Sequence, residues 1–213
     1  CSDCHEPHSL KLRADGDAVC MICHQAAKYE TTEHHHHEAG STGSKCVECH
    51  MPGRNYMVVD HRRDHSLRIP RPDLASTGSP DVCTACHADR KPAWAAGKLQ
   101  EWFGGTPGGL QHYAAVLHDG DTGAAGARGK LLALAQDRSQ PGIARASALQ
   151  RLDRVTAPGM TAVIADLLLD SDALVRRSAA AAHRMFPPDM RNGLFGVLDD
   201  PVRDVRLEAT PLV

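Results

Sequence analysis

The sequence has few of the aromatic side chains from which a small domain usually builds its interior. Phe, Tyr and Trp together make up 4% of its 213 residues. It also has no apolar segment long enough to cross a bilayer, so we expect no membrane span in these residues. The formal net charge is −2 with neutral histidines, which favours neither a nucleic acid nor an anionic membrane as a partner.

The sequence has no leftover cysteine, because all eight cysteines fall into four pairs, each directly followed by histidine. The motifs are "CSDCH" (Cys1, Cys4, His5), "CMICH" (Cys20, Cys23, His24), "CVECH" (Cys46, Cys49, His50) and "CTACH" (Cys83, Cys86, His87). C-x-x-C-H is the attachment signature of c-type haem, in which two thiols bind one porphyrin. The histidine then serves as the proximal iron ligand. Structural zinc and a disulfide framework are the alternatives, but neither requires a histidine after every second cysteine.

Four haems in so short a segment change what can form its interior. A polypeptide of about 100 residues with few aromatics buries little apolar area by itself. We therefore expect the porphyrins to supply much of the interior of residues 1–105, and this half to be loop-rich and unfolded without haem. Haem c is attached outside the cytoplasmic membrane, so the sequence predicts a periplasmic or extracellular protein whose export signal precedes residue 1.

The remaining histidines of this half are candidates for the second axial position on each iron. They are His8, His34, His35, His36, His37, His61 and His65. His65 is favoured over His61, which of the four consecutive histidines would ligate stays open, and a methionine such as Met57 is a rival ligand. If "HHHH" is helical, His34 and His37 share one face, so this cluster could serve two haems. Arg62 and Arg63 could pair with the haem propionates, or form a solvated basic turn.

The second half has a different composition and a repeated pattern. "KPAWAAGKLQEWF" predicts an amphipathic helix that closes the haem domain. After a predicted linker at residues 106–127, the blocks "IARASA", "LVRRSA" and "DVRLEA" align on Arg145, Arg176 and Arg206. An apolar helix is expected from Met160 onward. Helix pairs at this period predict HEAT-like repeats over residues 128–213. We expect the chain to continue beyond both ends. His112, His118 and His183 are not expected to be ligands.

Several segments beyond the haem motifs resemble a known family. "CSDCHEPHS", "CMICH", "HHHHEAGSTGSKCVECHMPGRNYMVVDHRRDHSLRIPRPDL" and "PDVCTACHADRKPAWAA" look like bacterial multihaem c-type cytochromes with C-terminal TPR or HEAT repeats. These are distantly similar to the cytochrome c nitrite reductase and hydroxylamine oxidoreductase group. The resemblance covers about residues 1–103 and carries the family's histidine pattern onto His34, His35, His37 and His65. His36 stands where an aromatic residue is more usual, and His61 at a variable position.

The sequence thus predicts a mostly α protein with a loop-rich tetrahaem cytochrome c domain followed by an α-solenoid. The predicted function is electron transfer through four closely packed, mainly bis-histidine haems, to redox partner proteins or other copies of the chain. One alternative is the electron-delivery portion of an oxidoreductase acting on a small nitrogen or sulfur compound. Another is a subunit of an extracellular cytochrome filament.

Overall fold

The computed structural model describes residues 1–105, 112–152 and 159–213. The chain forms two compact units, Cys1–Pro107 and Gly108–Val213. Helices dominate both, and the described residues contain one two-stranded sheet, so the prediction of a mostly α protein is confirmed. Within the described residues, no helix combines the length and the apolar character needed to cross a bilayer.

The first unit is built from short elements joined by loops. Its α-helices are α1 (Ala26–Tyr29), α2 (Thr32–His35), α3 (Cys46–His50), α4 (Val82–Cys86) and α5 (Pro92–Phe103). Three 3-10 helices span Gly16–Ile22, Thr42–Ser44 and Pro72–Thr77. Helix α5 occupies the segment predicted to be an amphipathic helix; it begins with Pro92 in its first turn and ends at the left-handed Gly104, as helix-capping preferences favour.

A β-hairpin interrupts this helical unit. Strands β1 (Gly53–Tyr56) and β2 (Asp60–Arg63) pair antiparallel, with Tyr56 opposite Asp60. Met57 and Val58 in the connecting loop have φ of 48° and 73°, a region that β-branched residues rarely adopt. Their side chains are 80% and 86% exposed. The hairpin therefore presents an apolar tip on a strained turn.

The first unit has almost no polypeptide core. Within residues 1–105, Pro72 and Ala95 are the buried residues. Large apolar side chains lie instead on its surface: Leu10, Leu12, Ile22, Tyr56, Met57, Val58, Val59, Leu67, Ile69 and Phe103. A domain of this size normally buries its large apolar side chains against one another.

The second unit has an ordinary helical core. Its helices are α6 (Ala114–Thr122), α7 (Ala127–Gln136), α8 (Gly142–Arg151), α9 (Met160–Leu167), α10 (Ala173–Ala182) and α11 (Arg203–Ala209). Short 3-10 helices span His183–Met185, Pro188–Met190, Asn192–Val197 and Thr210–Leu212. Leu149, Ile164, Val175 and Val205 are fully buried in one cluster. His183 is buried there too and its Nδ1 bonds the carbonyl of Ala179 at 2.8 Å, so it is a packing residue.

The predicted boundaries of this unit need one correction. Residues 106–127 were expected to be a linker, but Ala114–Thr122 forms helix α6, which packs against α7 and α8. Gly and Asp in this stretch suggested a loop, and tertiary packing overrides that preference. Residues 106–111 of the predicted linker lie outside the described residues. The three aligned blocks lie in α8, α10 and α11, and the apolar segment from Met160 forms α9.

Two of the three aligned arginines of the blocks, Arg145 and Arg176, make equivalent contacts. Arg145 binds both carboxylate oxygens of Asp170, at 3.1 and 2.5 Å. Arg176 binds both oxygens of Asp200, at 2.7 and 3.0 Å. Arg206 donates to the backbone carbonyl of Asp200. Two-point guanidinium–carboxylate bonds fix both distance and orientation, so these pairs tie each block to the loop that precedes the next.

Candidate functional site

Three of the four motif histidines lie opposite a second imidazole. The ring centroids of His5 and His65 are 6.3 Å apart, those of His50 and His34 are 6.2 Å apart, and those of His87 and His37 are 6.0 Å apart. A metal–imidazole bond is about 2 Å long and a ring nitrogen lies about 1.1 Å from its centroid, so two imidazoles on opposite sides of one ion have centroids about 6.2 Å apart. All three separations fit this value.

Hydrogen bonds to backbone carbonyls hold four of the six paired rings. Nδ1 of His5 lies 2.8 Å from the carbonyl of Leu10, and Nδ1 of His50 lies 2.7 Å from that of Arg68. Nδ1 of His65 and of His37 also contact backbone carbonyls, those of Arg63 and His35, at 2.9 and 2.5 Å. A carbonyl only accepts, so each Nδ1 carries the proton. The other ring nitrogen, Nε2, is left as the electron-pair donor.

Strained backbone lies at or beside two of these carbonyls. Leu10 and Leu67 have φ of 59° and 51°, in the left-handed region that leucine rarely adopts. Leu10 offers its own carbonyl to His5, and Leu67 directly precedes Arg68, whose carbonyl faces His50. Such strain of about 1–3 kcal/mol per residue persists where the surrounding structure fixes it, often at functional sites. The sequence gives no signal for these positions, because leucine is not a turn residue.

The histidine run adopts a different geometry from the helical face that we expected. Helix α2 ends at His35, and His36 has a left-handed φ of 53°. The reversal directs His34 toward His50 and His37 toward His87. The run therefore places imidazoles near the histidines of two motifs, through a chain reversal and not through one helix face. Burial and the neighbouring His50 lower the pKa of His34, which favours the neutral imidazole that binds metals.

Glycine at position 43 makes room for one of these rings. A Cβ built there would lie 2.2 Å from the His37 ring, closer than any real side chain tolerates. Any other residue at position 43 would displace the imidazole facing His87. The sequence could not indicate this role, since "GSTGS" is a typical loop composition.

The remaining distal candidates are not brought opposite a motif histidine in the described residues. His8 is exposed, and Nδ1 of His35 accepts the backbone N–H of His37 at 3.2 Å. His36 stacks on Trp102 with centroids 4.0 Å apart. His61 lies on β2 with its ring over Gly53. The exposed motif histidine His24 contacts the edge of Tyr29, with centroids 5.4 Å apart.

The eight cysteines are all free, and thiols of different motifs lie close together. Cys20 and Cys46 form a group with Asp17 whose ligand atoms all lie within 4.8 Å of one another. Burial, followed by the charge of Asp17, raises the pKa of Cys46 to about 12. Burial, followed by the charge of Asp81, raises the pKa of Cys83 to about 12. The group takes one thiol from each of two motifs, whereas a zinc ribbon uses both thiols of each pair.

Two arginines predicted to meet propionates already have carboxylate partners. Arg62 binds Asp60 at 2.6 Å, and Arg63 binds Glu48 at 2.6 Å. Both also line a cavity of about 310 Å³ beside His65, together with Arg54, Tyr56 and Asp64. This cavity combines an aromatic wall with three guanidinium groups, a combination suited to a flat apolar group that bears carboxylates.

Comparison with protein-family models, with curated proteins and with solved structures finds no match to this chain.

Proposed function

We propose that the first unit holds four c-type haems and transfers electrons. The observation that carries the proposal is the set of three imidazole pairs, each spaced for one metal ion between its rings. Each pair includes the histidine of a different C-x-x-C-H motif. A zinc or disulfide function would not need a second imidazole opposite these histidines. Bound haem would supply reversible one-electron chemistry.

The residues of the chain have distinct roles in this proposal. The two thiols of each motif anchor one porphyrin, so the four motifs hold four. His5, His50 and His87 act as proximal ligands, with His65, His34 and His37 on the opposite faces, and His24 is the proximal ligand of the second motif. The carbonyls of Leu10 and Arg68 hold their histidines in the donor tautomer. Two protein ligands per iron leave no position for substrate, which favours electron transfer over catalysis at these three sites.

The unusual core of the first unit also supports the proposal. Residues 1–105 bury two side chains, while Leu10, Met57, Val58 and Leu67 are each more than 60% exposed. Porphyrins in contact with these side chains would remove them from water, at about 25 cal/mol per Å² of apolar area. In this proposal the polypeptide of the unit surrounds the cofactors, which form most of its interior.

Localisation and partners follow from the same chemistry. Haem c is attached outside the cytoplasmic membrane, so we propose a periplasmic or extracellular protein. Its electrons pass to a redox partner or to another copy of the chain. We further propose that the repeated helices of the second unit are HEAT-like pairs forming an α-solenoid, which offers a docking surface for a partner. The oxidoreductase and filament alternatives stay predictions, checked by nitrite or hydroxylamine turnover and by electron microscopy.

The decisive experiment is an intact-mass measurement of the protein secreted by a host with haem attachment machinery. We expect the mass of the chain plus four haems, and absorption and electron paramagnetic resonance spectra dominated by low-spin iron. A colourless protein of unmodified mass would contradict the proposal. A haem-loaded protein with mainly high-spin iron would retain the cofactor but contradict electron transfer as the function.

A further inference from the structure

The carboxylate of Asp17 lies where two of the four motifs meet. Oδ1 of Asp17 accepts the backbone N–H of Cys46 at 3.2 Å, across 29 residues of sequence. The sulfur atoms of Cys20 and Cys46 and a carboxylate oxygen of Asp17 all lie within 4.8 Å of one another. One acidic side chain therefore touches the second and the third motif at once.

The closeness of these two sulfurs bears on the groups that they carry. In the proposed function, each thiol is bonded directly to the edge of a porphyrin. Two such sulfurs within 4.8 Å bring the edges attached to them next to each other. The second and third haems are then neighbours, with Asp17 beside their junction.

A carboxylate in this position acts on both irons through its charge. Asp17 is half-buried. The effective dielectric constant there is lower than in bulk water, so its charge is screened less. A negative charge favours the oxidised, more positive iron over the reduced iron. Charge, hydrogen bonding and solvent exposure near a redox centre are the usual means by which a protein sets its potential.

We propose that the negative charge of Asp17 lowers the reduction potentials of both the second and the third haem. This inference rests on the proposed function and deepens it, because it identifies which two haems are adjacent and which residue tunes them. Asp17 is a positioning and tuning residue, since it bonds neither iron nor porphyrin. Its backbone hydrogen bond to Cys46 keeps the charge at the junction.

The test replaces the charge and keeps the shape. In Asp17→Asn the side-chain carbonyl still accepts the Cys46 N–H, so the hydrogen bond is retained while the charge is lost. The four midpoint potentials of the haem-loaded full chain are measured by spectroelectrochemical titration. We expect two of the four to shift to more positive values and the other two to stay unchanged. Asp17→Glu, which keeps the charge, should leave all four near their original values.

Asp15→Asn is the matched control. Asp15 is exposed and lies two residues earlier, with no side-chain hydrogen bond to the 3-10 helix that follows it. We expect no shift from this substitution. Asp17→Ser provides a second neutral variant if Asp17→Asn loads haem poorly, and it should move the same two potentials.

The possible results separate this inference from the proposed function. Four haems by mass with two raised potentials support the inference. Four haems with one potential moved, none moved, or all four moved equally overturn it while leaving electron transfer intact. A chain without haem overturns both, and the mass measurement reveals this before any titration.

Discussion

Individual histidines in the first unit are positioned by backbone carbonyls on both sides of the proposed metal sites. His5 and His65 each bond through Nδ1 to a carbonyl, and so do His50 and His37. Losing such an orienting bond typically weakens metal affinity about 10- to 100-fold. The orientation of these four imidazoles thus depends on the backbone carbonyls of Leu10, Arg63, Arg68 and His35.

His65 and His61 provide a matched pair for testing the ligand assignment. In the proposed function, His65→Ala removes the ring opposite His5, so one of the four haem irons would lose a protein ligand. We expect one quarter of the iron to become high-spin, with new carbon monoxide binding by the reduced protein. His61→Ala removes an exposed ring from the neighbouring hairpin and should change neither property. Equal spectra for the two variants would refute the assignment of His65.

Elements in the second unit are joined by buried charge pairs that follow the repeat. Side chains of Arg145 and Asp170 are 5% and 1% exposed, so each charge depends on the other. Burial raises the pKa of Asp170, but the hydrogen bonds from Arg145 and from the backbone N–H of Asp172, together with the charges of Arg145 and Arg138, outweigh it, so the pKa is lowered overall. Stability from this carboxylate is present above its unfolded pKa and is lost as the pH falls through the lower folded value.

Breaking this pair should be far more damaging than breaking an exposed one. Arg145→Ala leaves Asp170 buried without its partner, which should cost about 3–5 kcal/mol of stability. Lys130→Ala removes the partially exposed Lys130–Asp119 pair and should cost at most about 1 kcal/mol. Hydrogen exchange of the amides in α8 and α10 measures both effects. Similar losses in the two variants would show that the buried pair has no special role.

The molecule as a whole consists of two units with different interiors. The second buries Leu149, Ile164 and Val205 in a continuous apolar cluster, whereas residues 1–105 bury Pro72 and Ala95. Helical packing can stabilise the second unit from its own residues. The described residues of the first unit form no such core and, in our proposal, the stability of this unit depends on porphyrin.

Proteolysis of haem-free protein tests this dependence. Chain produced in the cytoplasm, where haem is not attached, should be cut rapidly within residues 1–105 while a fragment covering most of the second unit persists. Haem-loaded chain should resist cleavage in both units. Gel analysis with mass spectrometry of the fragments gives the result. A protease-resistant first unit in haem-free protein would contradict the proposed source of its stability.

The sequence predicts the parts of this structure that have local signals. Pro92 and Gly104 mark the ends of α5, and the spacing of Met160, Ile164 and Leu167 predicts α9. The pairing of His65 with His5 has no local signal, since it depends on contacts across 60 residues of chain. The left-handed Leu10, Leu67 and Val58 also escape prediction, because their strain is set by long-range packing and contradicts their residue type.

The closeness of Cys20 and Cys46 has a consequence for any chain that folds before its proposed haems are attached. In an oxidising compartment, two neighbouring thiols tend to form a disulfide, and this one would block two attachment sites together. Attack on another sulfur requires the thiolate, and the raised pKa of Cys46 keeps that sulfur protonated. In such a folded, haem-free chain, the surroundings that bring the two motifs together thereby also slow their mispairing.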